Sequence, residues 1–358
     1  MFRLKLLCVD VQQHVLLLTM HHIISDGWSM GVMIRELATL YTSFFHGQPS
    51  PLPELAIQYA DFAVWQRQWL TEAVLEGQLE YWRRQLSGEL PVLALEPDKT
   101  TGSEAQHQGA GQDVWLSGEL SEQLRELSVR EGVTMFMVLL TGWQLLLSRY
   151  SGQEDICVGT PIANRNRAET EELIGFFVNT LVLRTDLSGD PSVRELLGRV
   201  REVCLGAYGH QDMPFEKLVE VLQPERDLRR TPLFQTMFNL QQASMEPGLE
   251  LPGLQLQSLG SGGETVKFDL TLSLSEGVSG VQGQLSYRTE LFEAETMARL
   301  TGHYEVLLRS LVANPEQRLG ELSLLSEAER RQLVVEWNQT GAGYPVGQTI
   351  AELFEAQV

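Results

Sequence analysis

Cysteine is scarce: Cys8, Cys157 and Cys204 are far apart in 358 residues, each in an apolar context. Three scattered thiols exclude a disulfide framework and a zinc ribbon, and they read as small core residues in a reducing compartment. Positive charge is also short. Lys and Arg total 27 against 47 Asp and Glu, a net charge of −20, and no basic run occurs. That balance argues against a nucleic-acid or anionic-membrane partner, since both need a basic face. No stretch approaches the ~20 apolar residues of a membrane-spanning helix. The start, Phe2 to Val9, alternates like a strand and lacks the small-residue cleavage site of a signal peptide. The expected location is cytoplasmic. With 43% apolar and 21% charged residues, the composition is that of an ordinary globular protein long enough for two lobes with cores of their own.

The stretch that stands out is Met20-His21-His22-Ile23-Ile24-Ser25-Asp26-Gly27-Trp28-Ser29. An apolar β-type run, His14 to Met20, precedes it, and a helical periodicity from Met30 to Tyr41 follows. Two adjacent histidines therefore sit where a strand ends, followed by turn and helix-start residues. Four readings compete. They are core histidines at a strand end, a metal site, one catalytic imidazole with Asp26 bracing its loop, and a pH-sensing pair. Neighbouring strand residues point to opposite faces, and no third ligand stands at suitable spacing, so no metal is expected. The residues by themselves leave the catalytic reading only slightly ahead.

His21-His22-Ile23-Ile24-Ser25-Asp26-Gly27 resembles the HHxxxDG motif of nonribosomal peptide synthetase condensation domains. Four further stretches follow in the family's order. Tyr59 to Trp65 is similar to YxDFAVW, Ile174 to Arg184 to IGxFVNTxxxR, and His210 to Glu216 to HQDxPFE. Arg226 to Leu233 is similar to RDxSRxPL, with Arg229 in place of Ser. The resemblance implies an α/β fold of two chloramphenicol-acetyltransferase-like lobes in a V, with the site at their junction. The family's segments upstream of HHxxxDG are absent, so the first lobe is expected to be incomplete and the chain a fragment, inactive alone. The implied reaction is attack of a carrier-bound aminoacyl amine on a carrier-bound acyl or peptidyl thioester. Both substrates would hang on 4′-phosphopantetheine, with no intrinsically bound cofactor. Upstream and downstream peptidyl carrier proteins and a following adenylation domain are the implied partners. The wording around Asp26 leans towards an L-configured donor. Two other classes stay open: a non-catalytic carrier-docking module, and a stand-alone acyltransferase using a coenzyme A thioester.

By the same resemblance His22 carries the chemistry and His21 supports it. It also implies an ion pair of Asp26 with an arginine of the second lobe, Arg165 being the first candidate and Arg184 the second; the Gly27 amide, at the start of the following helix, is suited to be an oxyanion donor. Ser25, Trp28, Ser29, Asn179 and Gln211 are tunnel candidates, although capping or strand-end roles suit Asn179 and Gln211 equally well.

Along the chain, residues 1–112 are expected to form the partial first lobe and the lobe crossing, 113–320 the second lobe, and 321–358 a linker entering an adenylation domain. Strands are expected at 2–9, 14–20, 155–159, 177–185, 233–240, 266–274 and 280–288. Helices are expected at 30–45, 57–86, 119–131, 134–150, 191–209 and 297–311, with a short one ending near Leu222. The aromatic stripe Tyr59, Phe62, Trp65, Trp69, Tyr81 and Trp82 reads as core or lobe seam. Residues 87–112, poor in apolar side chains, read as the crossing, 259–263 as a surface turn, and 341–347 as the flexible part of the linker.

Overall fold

Apolar side chains alternate along Phe2–Asp10 (β1) and Gln13–Met20 (β2), and the two pair as an antiparallel hairpin with Phe2 opposite Met20 and Leu6 opposite Leu16. The computed structural model describes residues 1–99, 108–222, 231–242, 251–257, 259, 264–277, 279–341 and 348–357. The hairpin forms a two-stranded sheet of its own, and Phe2, Leu4, Leu6, Leu7, Leu16 and Leu17 are all exposed. A two-stranded ribbon without a packing partner is marginal in water. Cys8 lies on this hairpin and is exposed, which corrects the expectation of a core residue; Cys157 and Cys204 are buried.

Three helices follow: Gly27–Phe45 (α1), Tyr59–Trp69 (α2) and Glu72–Gln85 (α3). The single helix expected over 57–86 is broken at Leu70 and Thr71. Thr71, in extended conformation, starts α3 afresh, and the aromatic periodicity continues across the break and hides it. Leu79, Tyr81 and Trp82 of α3 belong to the main core, so α3 packs with the second lobe rather than the first.

That core lies against a seven-stranded sheet of Gln108–Trp115 (β3), Asp155–Ile162 (β4), Asn179–Asp186 (β5), Thr236–Gln242 (β6), Glu264–Thr265 (β7), Leu270–Gly277 (β8) and Gly280–Arg288 (β9), in the order β5-β4-β6-β8-β9-β3-β7. Pairing is antiparallel except where β6 runs parallel to β4 and β8. Strand β3 falls inside the expected crossing, and the boundary placed at residue 112 cuts it. Its Gly109-Ala110-Gly111-Gln112 stretch has no large apolar residue, because Gly111 sits under the Gln284 side chain and a Cβ there would lie 2.3 Å from it. Val266 to Asp269, expected as strand, precedes β8 instead.

The helices of this lobe are Gly118–Glu131 (α4), Met135–Ser151 (α5), the single turn Ala168–Glu171 (α6), Val193–Gly209 (α7), Phe215–Leu222 (α8) and Ala294–Ala313 (α9). Their ends carry the capping chemistry that the sequence advertises. Thr134 accepts from the Met137 amide, Ser192 and Glu195 form a capping box, and Gly152 closes α5 in the left-handed region with φ 70°. Each such cap contributes about 1 kcal/mol. Helix α5 is apolar on nearly every face and lies in the middle of the core. Among the described residues no single helix is long and apolar enough to cross a membrane.

Leu319 and Leu322 remain in the core, so the expected linker is still packed where it begins. It continues into the short helices Glu327–Arg331 (α10) and Ile350–Glu355 (α11). The expected Gly-rich turn at 260–263, most of 341–347, residues 100–107 of the crossing and Arg226 to Arg230 of the fifth motif lie outside the described residues.

Candidate active site

Strand β2 ends at Met20 and a single 3₁₀ turn, His22 to Ile24, takes its place. The two histidines therefore diverge for a different reason from the alternation expected of a strand. His21 is the cap of that turn, its Nδ1 accepting the Ile23 amide at 3.0 Å. His22 points its Nδ1 at the Ser25 carbonyl, 2.9 Å away. A carbonyl has no proton to give, so Nδ1 must carry the hydrogen and, in the neutral ring, Nε2 holds the lone pair. No hydrogen bond engages Nε2 among the described residues, and His22 is exposed. The Phe176 ring stands 5.9 Å from the imidazole at 85°.

Asp26 caps α1 and is buried. Its Oδ1 accepts from the Ser29 amide at 2.8 Å and the Ser29 hydroxyl at 2.7 Å, and its Oδ2 accepts from the Phe177 amide at 2.9 Å. The Arg165 guanidinium completes the shell, Nη2 to Oδ1 at 3.2 Å. Arg165 also donates to the Leu173 carbonyl at 2.7 Å and to Ser29 Oγ at 2.8 Å, and its guanidinium lies 4.1 Å from the centre of the Phe177 ring. Burial by itself would raise the Asp26 carboxyl, but the bonds from Ser29 and Phe177 and the charge of Arg165 hold it below the usual aspartate value. Burial draws Arg165 down despite Asp26 beside it, yet an arginine stays charged.

Ser29 is the hinge pin of this network. Its Oγ accepts the Gly175 amide at 3.0 Å, its single hydroxyl proton lies between Asp26 Oδ1 and the Gly175 carbonyl, at 2.7 and 2.8 Å, and it is fully buried. Gly175 must be glycine, because a Cβ would come within 2.2 Å of the Tyr59 ring and 2.9 Å of the Phe177 ring. Tyr59 in turn donates its hydroxyl to the Phe176 carbonyl at 2.8 Å. Burial, then the charge of Asp26, raises the Tyr59 phenol. Phe62, Leu173 and Phe177 form a small separate core around this junction.

Several expected site residues stand elsewhere. Arg184 is no partner of Asp26: it pairs with Asp155 at 2.7 Å and donates to the Ser87 carbonyl, tying the crossing to β4 and β5. Asn179 donates to the carbonyls of Gln211 and Met213 and accepts the Phe215 amide at 3.0 Å, so it brackets the entry to α8 and none of its bonds reaches the His22 loop. Gln211 meets it through its backbone carbonyl. Ser29 lines no open space. Trp28 is half-exposed, and its indole donates to the Glu171 carbonyl at 2.8 Å, a staple between α1 and α6. Ser25 contributes its carbonyl to His22. Gly27 begins α1, and the position a Cβ would take there is open, with nothing within 4 Å. Tyr59, Gly175, Phe176 and Phe177 lie within two of the motifs, yet the sequence does not single them out as site residues; an aromatic stripe at helical spacing looks the same whether it packs a core or props a site.

His210 caps α7, its Nδ1 donating to the Gly206 carbonyl at 2.8 Å, and stacks flat on the Tyr81 ring at 4.1 Å, while Trp82 donates to its carbonyl. Among the described residues no cluster of three His, Cys, Asp or Glu is arranged to hold a metal ion.

The family model described as Condensation domain matches residues 1–334. A linear gramicidin synthase of Brevibacillus parabrevis is 48% identical over 355 residues, covering 99% of this chain and 7% of that protein. Malpibaldin synthetase of Mortierella alpina is 45% identical over 359 residues, covering 100% of this chain and 6% of that protein. The chain thus spans a small fraction of the length of these relatives. Among solved structures, the complex of the X-domain and OxyB from teicoplanin biosynthesis superposes with a TM-score of 0.82 at 28% identity, covering 91% of this chain and 73% of that one.

Proposed function

The chain belongs to the condensation-domain family, and on that premise we propose that it joins two carrier-bound substrates through an amide bond in a nonribosomal peptide synthetase. The acceptor aminoacyl amine attacks the carbonyl carbon of the donor acyl or peptidyl thioester. The C–N bond forms, the C–S bond breaks with its electron pair on sulfur, and the pantetheine leaves as a thiol, its sulfur taking up the proton that the amine sheds. A thioester is already activated, so alignment does most of the work and can supply roughly 7–11 kcal/mol of the barrier.

His22 manages the proton. An α-amine titrates near ~8, so a neutral imidazole is a suitable partner for the proton shed on attack. The observation that supports this role is the tautomer: Nδ1 is tied to the Ser25 carbonyl, leaving a basic Nε2 exposed at the end of β2. The Gly27 amide, at the start of α1 with open space beside it, is the donor for the developing oxyanion. Asp26 and Arg165 brace the loop and stay out of the chemistry, because the donors around Asp26 already engage both of its oxygens. His21 caps its turn.

The partners on this reading are upstream and downstream peptidyl carrier proteins, with an adenylation domain following. Substrates are tethered by 4′-phosphopantetheine, the donor is L-configured, and the setting is the cytoplasm. The exposed apolar hairpin ending at the histidines leaves the 358-residue chain a poor catalyst alone. The test is amide formation between two loaded carrier proteins, catalysed by the domain within its synthetase. Product from carrier-bound donors and none from free coenzyme A thioesters is expected. Carrier binding without turnover would make it a docking module, and equal use of coenzyme A thioesters a stand-alone acyltransferase.

A further inference from the structure

The segment Gly175-Phe176-Phe177 is gripped from outside at three backbone groups. Ser29 Oγ accepts the Gly175 amide, Tyr59 donates to the Phe176 carbonyl, and Asp26 accepts the Phe177 amide. The Phe177 ring is fixed in turn under Arg165 and against Tyr59 and Phe62. Gly175 admits the Tyr59 ring, which leaves no room for a side chain there. A backbone held at three groups in three residues delivers one thing to the surface: the Phe176 ring, 36% exposed and set edge-to-face with His22.

His22 needs such a neighbour. Among the described residues the imidazole makes one hydrogen bond, to the Ser25 carbonyl, on an exposed side chain where water competes, and such a bond holds a rotamer weakly. The imidazole χ2 is a broad, roughly two-fold torsion, and a half-turn about it removes Nδ1 from Ser25 and turns Nε2 away. An edge-to-face contact depends on which edge of the imidazole meets the other ring, so the Phe176 ring favours one of the two orientations over the other.

We propose that Phe176 is a positioning residue for His22: its ring holds the imidazole with Nδ1 on the Ser25 carbonyl and Nε2 facing outward, and Tyr59 sets that ring through the Phe176 carbonyl. The inference rests on the reading of His22 as the proton-handling group. It places the aromatic residues of α2 in service of the chemistry, at one remove from it.

The test labels the histidines of the chain with ¹⁵N and reads the tautomer of the neutral His22 ring at alkaline pH, with His22→Gln assigning the signal. In the parent, the Nδ1–H tautomer of His22 dominates. Phe176→Ala mixes the two tautomers, Phe176→Tyr restores the parent pattern, and Tyr59→Phe, which removes one hydroxyl and keeps the packing, shifts it in the same direction as Phe176→Ala. Tyr59→Phe carries the test should Phe176→Ala fold poorly. In the synthetase, Phe176→Ala lowers kcat about tenfold with KM for both carriers within about twofold, as misplacement of a reacting group does. An unchanged His22 tautomer in both Phe176→Ala and Tyr59→Phe overturns the proposal. Undiminished turnover in His22→Ala would instead overturn the reading of His22 and leave the tautomer result to judge the positioning on its own.

Discussion

Asp26→Asn isolates the brace from the chemistry. The substitution keeps the size of the side chain and removes its charge, while the donors around it stay in place: the Ser29 amide at 2.8 Å, the Phe177 amide at 2.9 Å and Arg165 at 3.2 Å. One of the two amide positions becomes an NH₂ facing a donor, and the Arg165 side chain, 1% exposed, is left as a buried cation without its counter-charge. Breaking a buried pair from one side costs about 3–5 kcal/mol. For a chain of this size that lowers Tm by roughly 6–10 °C, taking about 2 °C per kcal/mol. Arg165→Met, which keeps apolar volume over Phe177, has a comparable effect, and the double variant is little worse than either, because each change already abolishes the shared interaction. The pH dependence has a definite sign. The Asp26 carboxyl is held below its unfolded value of 3.8, so its contribution is complete above that value and is lost as pH falls through the lower folded value. As pH falls below 3.8 the parent therefore loses more stability than Asp26→Asn does. Denaturant melts of the four proteins at several pH values measure all of this. Additive single and double effects, or full stability in Asp26→Asn with turnover abolished, would refute the reasoning and move Asp26 into the chemistry.

Gly175→Ala should lower stability by about 1–3 kcal/mol, because its Cβ meets the Tyr59 ring at 2.2 Å and that is the cost of over-packing a fixed site; thermal melts check it, and a smaller loss contradicts the packing described. Glu329 joins the C-terminal segment to α9, accepting from His303 at 3.0 Å, while Tyr150 bonds the other ring nitrogen at 2.7 Å. Glu329→Gln should make residues 322–341 more susceptible to limited proteolysis with the global Tm changed by only a degree or two, and unchanged cleavage argues against a latch. Metal analysis of purified protein should give sub-stoichiometric zinc and iron, and chelator treatment should leave turnover intact; stoichiometric metal whose removal abolishes activity would overturn the reading of His22.

What the sequence discloses and what it hides follow from how local each cause is. Helices α4, α5, α7 and α9 declare themselves because apolar spacing and the caps Ser117, Thr134 and Ser192 lie within one helical turn of each boundary. Strand β3 does not, since it owes its place to β9 and to the space Gly111 leaves for Gln284, 173 positions away in sequence. The break between α2 and α3 hides inside continuous aromatic periodicity. Asp26 and Arg165 are 139 residues apart, and nothing local links them; only the resemblance pointed to the pair. The same resemblance offered Arg184, which stands opposite Cys157 in the β4–β5 ladder and pairs diagonally with Asp155, two residues along β4, a choice fixed by strand register. Ser29 reads as an ordinary helix-start serine, and its hydroxyl becomes the link between α1 and Gly175 only once the two lobes are in contact.

The central claim is that His22, and not His21 or Asp26, handles the proton of amide formation. Its most direct measurement is the single-turnover rate of amide formation in the synthetase, with both carriers loaded and saturating, for His22→Ala beside His21→Ala. The account predicts a fall of at least about tenfold, within reach of the 10²–10⁴-fold of a full general base, for His22→Ala with carrier affinity retained. It predicts a much smaller change for His21→Ala, which removes only the cap of one 3₁₀ turn. Near-parent turnover in His22→Ala, or an equal loss in His21→Ala with the fold intact, would contradict it.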